Sequence, residues 1–273
     1  MPSLKDHQSN DFTKLLLEGD SGSGKTGSLA SLVKAGYKLR ILDFDNGLDV
    51  LKSFVLHDSP GSIENVEFVS LRDKRKASPT GPVIDGQPRA FITALKLLDR
   101  WKYDGVDLGV PAEWGSDCIL VIDSLTMLSD ACYDWREPLV PRGSSGNYDK
   151  RAVYYDAQKA IEDVLALLTS ESFKTNVIVI SHIKYMDMPD GTKKGFPTAV
   201  GSALSPTIPR YFNSVALCET VGGKRTLKTT PTAVIDLKNP KPFAMLKSYD
   251  ISTGLADFFG VLREHPQLKR KVI

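Results

Sequence analysis

One eight-residue segment constrains the fold of this chain more than any other. Residues 19–26 read GDSGSGKT, a complete GxxxxGKT pattern, directly after the apolar run KLLLE and before a helical pattern. Glycines let the backbone turn so that its N–H groups surround phosphate oxygens, and the start of the following helix adds positive potential. Lys25 is predicted to reach the β and γ phosphates. The predicted nucleotide-contacting residues are Gly19, Asp20, Ser21, Gly22, Ser23, Gly24, Lys25, Thr26 and Gly27.

A second strand ends in an acid that suits magnesium. The run CILVI at 118–122 is followed by Asp123 and Ser124, which is the pattern of a Walker B strand. Magnesium keeps much of its hydration shell, so Asp123 would hold the ion through water and Thr26 would bind it through its hydroxyl. The sequence therefore predicts ATP and Mg²⁺ as ligands, with Thr26 and Asp123 as the metal residues. A core strand that happens to end in Asp is the alternative.

Strand-like and helix-like patterns alternate along the chain, which predicts an α/β fold with a mostly parallel sheet covered by helices on both faces. The predicted strands are Lys14 to Glu18, Lys38 to Asp43, Val66 to Leu71, Cys118 to Asp123 and Asn176 to Ser181, and the predicted helices are Lys25 to Ala35, Arg89 to Tyr103 and Val153 to Leu168. From Phe212 onward, turn residues bound the short strand-like segments NSVALCE, RTLKTTP and AVIDLKNP, which predicts antiparallel hairpins added at the edge of the sheet. Long segments at 73–88, 137–147 and 186–209 are rich in Gly, Pro, Ser and charge and are expected to be loops.

Composition limits the classes of protein to which the chain can belong. The 35 Lys and Arg residues nearly balance 33 Asp and Glu, giving a net charge of +2, so a histone-like polycation is excluded. The three cysteines are far apart, which indicates neither a disulfide framework nor a zinc site. The longest apolar runs are far shorter than the roughly 20 residues of a membrane span. We expect a cytoplasmic protein that does not enter a membrane.

Hydrolysis also needs a group that orients water or removes its proton. Many P-loop ATPases place Glu directly after the Walker B Asp, but Ser124 occupies that position. Asp43 and Asp45 lie at the end of the second strand, and Asp45 is the predicted base; a purely capping role for both is the alternative. Ser181 and His182 end the strand at 176–181, where a γ-phosphate sensor would stand, and local hydrogen bonding is the alternative for His182. The predicted catalytic residues are Lys25, Asp45, Asp123 and His182.

Taken together, these motifs resemble the RecA/RadA ATPase core. More narrowly, GDSGSGKTGSL, ILDFDNGLDVL, VIDSLT and VIVISHI are similar to compact phage-encoded nucleotide-binding proteins with AAA domains that are related to that core. The resemblance covers roughly residues 12–236, with Asp45 and His182 in place of the Glu and Gln of the relatives. It implies one RecA-like ATPase domain at 12–265 between tails at 1–11 and 266–273, located in the host cytoplasm if a phage encodes it.

The same resemblance implies ATP-dependent binding of single-stranded DNA by a head-to-tail homo-oligomer, a ring or a filament, in recombination or strand annealing. A single-stranded-DNA-binding protein is a candidate further partner. Two loops would hold the DNA, at 134–151 and 184–210, because basic groups neutralise phosphates and aromatic rings stack on bases. The DNA-binding candidates are Arg136, Arg142, Lys193, Lys194 and Arg210; solvated loops without a ligand are the alternative.

A nucleotide at a subunit boundary would need a cation from the neighbouring subunit. In the resembling family, such residues lie on the C-terminal hairpins, and here Arg225 and Lys228 are the candidates; exposed surface charges are the alternative.

We expect a slow, DNA-stimulated ATPase. A nucleotide-dependent mediator or loader that acts through a protein partner with little hydrolysis is the second hypothesis, and a small-molecule P-loop kinase is the third.

Overall fold

The computed structural model describes residues 12–141 and 149–263, and the largest element is an eight-stranded sheet. The strands are β1 (Lys14–Gly19), β2 (Lys38–Asp43), β3 (Val66–Ser70), β4 (Arg75–Lys76), β5 (Val83–Ile84), β6 (Lys102–Tyr103), β7 (Val106–Asp107), β8 (Gly115–Asp123), β9 (Thr175–Ser181), β10 (Ile183–Asp187), β11 (Lys193–Pro197), β12 (Ser214–Val221), β13 (Lys224–Lys228) and β14 (Ser248–Asp250). The helices are α1 (Lys25–Ser28), α2 (Ala30–Lys34), α3 (Asp49–Asp58), α4 (Ala90–Asp99), α5 (Leu125–Arg136), α6 (Lys150–Thr169) and α7 (Gly254–Arg263).

The order of strands in the central sheet is β14-β13-β12-β1-β9-β8-β2-β3. All neighbours from β12 to β3 are parallel, and β13 and β14 continue the sheet as antiparallel strands. The predicted fold class is therefore confirmed: a mostly parallel sheet flanked by helices, with antiparallel hairpins, as in P-loop NTPases.

Helices cover both faces of this sheet, as the near-continuous apolar strands require. On one face, alternate residues of β8 and β9 such as Leu120 and Val179 pack with α4, α5 and α6. On the other face, the intervening residues, such as Val121 and Ile178, pack with α2, α3 and α7. The side chains of each strand alternate between the two cores, and this fixes the register of the strands. The C-terminal ends of the parallel strands β1, β2, β8 and β9 therefore lie on the same side of the sheet.

Two predictions for the C-terminal part were wrong. Strand β12 is not an antiparallel edge strand: it pairs in parallel with β1, Leu16 opposite Val215, because its apolar residues fill the place beside β1. The segment AVIDLKNP does not form a strand either. It makes only isolated bridges, Gly195 with Ile235 and Val215 with Lys238.

Several boundaries also differ from those predicted. The helix expected over 25–35 is divided into α1 and α2, and the helix expected over 89–103 ends at Asp99, before the small β6–β7 hairpin. Helix α6 begins at Lys150 because the Asp149 side chain accepts hydrogen bonds from the N–H groups of Arg151 and Ala152. No helix in 12–141 or 149–263 is long and apolar enough to cross a membrane.

Two of the segments expected to be loops contain paired strands. The segment at 73–88 includes the β4–β5 hairpin, and the segment at 186–209 includes most of the β10–β11 hairpin and part of a 3₁₀ helix at Ser205–Tyr211. The β10–β11 hairpin is attached to the body of the protein at Gly195, whose N–H donates to Val234 O at 2.7 Å. The expectation of a loop therefore fails at this segment, because strand pairing satisfies its backbone groups.

Candidate functional site

The GxxxxGKT segment connects β1 to α1 and folds as a tight loop. Gly22 and Gly24 have φ values of 77° and 98°, which favour glycine. A Cβ at Gly19 would lie 2.5 Å from both Cys218 O and Ser23 Oγ, so a side chain would not fit there. Lys25 Nζ donates to the carbonyl oxygens of Gly19 and Asp20, each at 2.8 Å. The loop backbone and the Lys25 ammonium thus face the same small volume.

The two predicted metal residues are in direct contact. Thr26 Oγ1 donates to Asp123 Oδ2 at 2.7 Å, across from the end of β8 to the start of α1. Burial raises the pKa of Asp123 to about 6, although the Thr26 hydrogen bond acts in the opposite direction. A hydroxyl and a buried carboxylate are hard oxygen ligands of the kind that Mg²⁺ prefers, and a cation would offset the cost of burying the charge. The donor set therefore fits magnesium.

The two acids at the end of β2, Asp43 and Asp45, have different surroundings. Asp43 accepts hydrogen bonds from Asn46 N at 2.8 Å and Ser70 Oγ at 3.0 Å, so its carboxylate holds the turn. Asp45 instead accepts from Ser124 Oγ at 2.8 Å, and His182 Nε2 lies 3.5 Å from its other oxygen. The capping alternative therefore describes Asp43, while Asp45 faces the residues that follow β8 and β9.

Opposing effects set the pKa of Asp45. Burial acts to raise it, but hydrogen bonds from His182 and Ser124, together with the charges of His182 and Lys25, lower it below the usual range. Burial likewise lowers the pKa of Lys25, and negative groups that include Asp123 and Asp45 act in the opposite direction. A carboxylate with a lowered pKa is ionised at neutral pH and can accept a hydrogen bond from water.

The two sensor candidates after β9 differ in orientation. Ser181 is buried, and its hydroxyl donates to His182 O and Thr198 O. The His182 N–H donates to Thr126 Oγ1 at 3.2 Å, which fixes the backbone, and the ring is directed towards Asp45. Sequence reasoning did not identify the contributions of Ser124 and Thr126. Their positions directly after the Walker B acid, at the start of α5, were the available signal.

The two candidates for a cation from the neighbouring subunit lie on β13 of the sheet. Lys228 Nζ pairs with Glu219 at 2.8 Å within the same hairpin. Arg225 packs against the phosphate loop of its own chain, since a Cβ at Gly24 would lie 3.2 Å from Arg225 Cδ. A cavity of about 360 Å³ opens there; its lining includes Gly24, Gly27, Phe54, Arg225 and Ile251. Whether either cation serves a neighbouring subunit stays a prediction.

The described DNA-binding candidates are in three separate elements. Arg136 ends α5, and its guanidinium lies 4.2 Å from the centre of the Trp135 ring. Lys193 and Lys194, on β11, lie 3.9 Å from Asp187 and 2.8 Å from Asp236, respectively. Arg210, in the 3₁₀ helix, pairs with Glu162 at 2.9 Å. Arg142 lies outside the described residues.

Tyr185 connects the β10–β11 hairpin with the phosphate loop. Its hydroxyl donates to Asp20 Oδ2 at 3.4 Å. Tyr185 pairs with Gly195 across the hairpin, and a Cβ at Gly195 would lie 3.2 Å from Tyr185 Cε1. Glycine at that position gives the ring room to lie across the hairpin. Sequence reasoning did not single out Tyr185.

Comparison with known proteins places these residues in a family. No curated protein matches the sequence. Among solved structures, one similar chain belongs to a prototypical ATPase from the type III secretion system of pathogenic bacteria, with 12% identity and a TM-score of 0.42. The match covers 75% of this chain and 51% of that chain, so this chain spans about half the length of that ATPase. The family model described as "AAA domain" matches residues 11–240. Because this match includes most of the sequence, the chain belongs to the AAA domain family and is an AAA-type P-loop ATPase domain.

Proposed function

We propose that this chain is a RecA-like protein that binds ATP with magnesium, hydrolyses it slowly and holds single-stranded DNA in phage recombination or strand annealing. The observation that supports the ATPase part best is the convergence of Lys25, Thr26, Asp123 and Asp45 at the ends of β1, β8 and β2. The evidence for this convergence is the hydrogen bond of 2.7 Å between Thr26 and Asp123 and that of 2.8 Å between Ser124 and Asp45.

Each residue has a distinct part in the proposed reaction. Lys25 would attract the β and γ phosphates, and the loop N–H groups would bind their oxygens. Thr26 and Asp123 would hold Mg²⁺, which when bound neutralises phosphate charge. Asp45 would accept a hydrogen bond from the attacking water and orient it, and His182 would hold the Asp45 carboxylate. The water oxygen then forms a bond to the γ phosphorus as the bond to the β-phosphate oxygen breaks. Asp45 takes the proton that the water loses, and ADP and phosphate are released.

The DNA part of the proposal rests on the β10–β11 hairpin. It carries Lys184, Lys193 and Lys194, and Tyr185 of the same hairpin contacts Asp20 in the phosphate loop. A strand bound on this hairpin would therefore lie on an element in contact with the nucleotide loop. We also propose that copies associate head to tail, with a single-stranded-DNA-binding protein as a further partner.

One observation favours the second hypothesis, a mediator that acts through a protein partner. Lys193, Lys194 and Arg210 each lie within 4 Å of a carboxylate of the same chain, and DNA phosphates would have to compete with those acids. A protein surface that carries both charges could contact these ion pairs without displacing the carboxylates.

ATP turnover measured with and without single-stranded DNA distinguishes the two hypotheses. The proposed function predicts magnesium-dependent turnover that rises strongly when DNA is added and disappears in Lys25→Ala. Turnover that is low and indifferent to DNA would favour the mediator. Turnover unchanged in Lys25→Ala would contradict both hypotheses, because both require nucleotide in the phosphate loop.

A further inference from the structure

We propose that the β4–β5 hairpin and the residues at its root form a further site for single-stranded DNA, in which Arg72, Lys74 and Arg89 contact the phosphates. This inference rests on the proposed function, which supplies the ligand. The site lies between β3 and the start of α4, and the hairpin is a two-stranded sheet separate from that of β10 and β11.

Positive charge is concentrated in the segment that contains this hairpin. Residues 72–89 include five Lys and Arg but only two Asp, whereas the whole chain has a net charge of +2. All five of the basic residues are exposed: Arg72, Lys74, Arg75, Lys76 and Arg89. A local basic surface on a nearly neutral chain is typical of proteins that bind a phosphate backbone.

The fold brings the two ends of the segment together at the root of the hairpin. Asp73 accepts a hydrogen bond from the Arg89 N–H at 2.7 Å. Lys74 O accepts from Asp85 N at 2.7 Å, next to the pairing of β4 with β5. Because Arg72 and Lys74 flank Asp73 in the chain, the backbones of three basic residues meet at this root.

Most acids beside the hairpin already have partners. Asp85 pairs with Lys76 at 2.8 Å across the hairpin, and Asp134 of α5 pairs with Arg75 at 2.7 Å. The Asp73 carboxylate is occupied by backbone N–H groups at the start of α4. These acids therefore neutralise Lys76 and Arg75 and leave the basic residues of the root without a counterion.

The side chains of Arg72, Lys74 and Arg89 make no hydrogen bond and no ion pair with any residue that the structure describes. Asp130 and Arg72 both line a cavity of about 280 Å³ between the root and α5, but they do not pair. By contrast, the described basic candidates on β11 and in the 3₁₀ helix each lie within 4 Å of a carboxylate. DNA phosphates can thus approach the root without displacing an acid.

The chemistry of the surface favours nucleic acid over an acidic protein. The guanidinium groups of Arg72 and Arg89 can each donate two parallel hydrogen bonds to phosphate oxygens, and Lys74 adds a compact charge. Interfaces with nucleic acid are polar and strongly positive, whereas the centre of a protein interface is depleted of charged residues. The exposed root has the first composition.

The test measures how the affinity for a thymidine oligonucleotide depends on salt, with ATP and Mg²⁺ present. The variant combines Arg72→Gln, Lys74→Gln and Arg89→Gln. Each lost phosphate contact lowers the slope of log affinity against log salt by about 0.7, so the slope should be shallower by up to about 2.1. Between about 50 and 200 mM salt, the parent should then lose roughly 18-fold more affinity than the variant. Lys74→Gln alone should lower the slope by about 0.7.

Two controls separate charge at this surface from other effects. Lys34→Gln, Lys38→Gln and Lys52→Gln together remove the same charge from exposed positions on α2, β2 and α3, and the slope should not change. Arg72→Lys combined with Arg89→Lys keeps both charges and should keep the slope of the parent. A slope that falls equally in the control with three Lys replacements would mean that overall charge, and not this surface, sets the salt dependence, which overturns the inference.

The remaining outcomes distinguish this inference from the proposed function. Parallel lines for the parent and the triple variant would overturn the inference, while DNA binding by the protein would stand. A parent that binds no oligonucleotide at low salt would contradict the DNA part of the proposed function itself. Tighter binding of a duplex of the same length would overturn single-stranded DNA as the ligand. Displacement of the oligonucleotide by poly-glutamate at equal charge would overturn nucleic acid and indicate an acidic protein.

Discussion

Nε2 of His182 lies 3.5 Å from Oδ2 of Asp45, although 136 positions separate the two residues in the sequence numbering. Strand pairing explains the contact: β2 and β9 both lie beside β8, so the residues that follow them meet above its end. Ser124, which follows β8 itself, donates to the other oxygen of the same carboxylate at 2.8 Å. Three strand ends therefore hold one acid in position.

Asp45→Asn is expected to slow hydrolysis far more than it weakens ATP binding, since the lost charge acts on water and not on the nucleotide. General-base groups typically contribute roughly 10²–10⁴-fold, and we expect a decrease in kcat of that size. Single-turnover rates and ATP titrations measure the two effects separately. Asp49→Asn, on the first turn of α3, is the control. Equal rates of hydrolysis in Asp45→Asn and the parent would contradict a role as base and would favour the alternative, in which Asp45 only caps the turn.

His182→Ala is expected to move the acidic limb of the pH–rate profile to higher pH. Burial raises the pKa of Asp45 and the His182 hydrogen bond lowers it, so removal of His182 lets this pKa rise. Asp45 then becomes protonated at a higher pH than in the parent. The measurement is kcat as a function of pH for both proteins.

A double-mutant cycle checks that His182 acts through Asp45. If it does, His182→Ala should reduce turnover less in an Asp45→Asn background than in the parent. A profile that keeps its acidic limb, with additive losses in the double variant, would make His182 independent of Asp45.

Glu18 should make the stability of the protein depend on pH. It is buried in β1, its Oε1 has no hydrogen-bond partner, and burial raises its pKa from 4.5 to about 8, with the Asp236 charge acting in the same direction. The folded chain therefore binds this proton more tightly than the unfolded chain. The contribution to stability is complete below pH 4.5 and is lost as the pH rises from 4.5 to 8.

Glu18→Gln removes this titration. Relative to the variant, the free energy of unfolding of the parent should fall by about 1.4 kcal/mol for each pH unit within that window. Denaturant unfolding at several pH values measures it, and Glu64→Gln, at an exposed position, serves as the control. Parallel pH curves for the parent and Glu18→Gln would contradict a buried, protonated Glu18.

The sequence was sufficient to predict the centre of this fold because local and long-range signals agree there. Each apolar run became a strand within a few residues of its predicted bounds, since a buried parallel strand needs apolar residues on both faces. The contact between Thr26 and Asp123 was also predictable, because both follow strands of one parallel sheet. The roles of Asp43 and Asp45 could be distinguished only in the structure, where Asn46 and Ser70 donate hydrogen bonds to the carboxylate of Asp43.

The rest of the fold and of the site depends on which distant segments pair with one another, and a single sequence does not show this. Nothing in the residues of β12 indicated that it would lie parallel beside β1 instead of at the edge. The β10–β11 hairpin is joined to the rest of the protein by contacts such as Gly195 with Val234, which lie far apart in the chain. The same holds for Arg225, whose position against Gly24 follows from the pairing of β13 with β12.

The last prediction concerns DNA. Replacing Lys193 and Lys194 together by Ala should weaken single-stranded DNA binding and leave basal ATP turnover nearly intact, because both lie on β11 and neither contacts the phosphate loop. Each lost phosphate contact lowers the slope of log affinity against log salt by about 0.7 for a single strand, so the double variant should have a slope shallower by up to about 1.4. Lys194 contributes less than Lys193 to this slope if DNA does not displace its contact with Asp236, 2.8 Å away.

The control replaces Lys34 and Lys52, which are exposed on α2 and α3. It removes the same charge and should leave the slope unchanged. Parallel lines for the parent and the Lys193 and Lys194 variant would show that this hairpin does not contact DNA phosphates, and the protein-partner hypothesis would then be preferred.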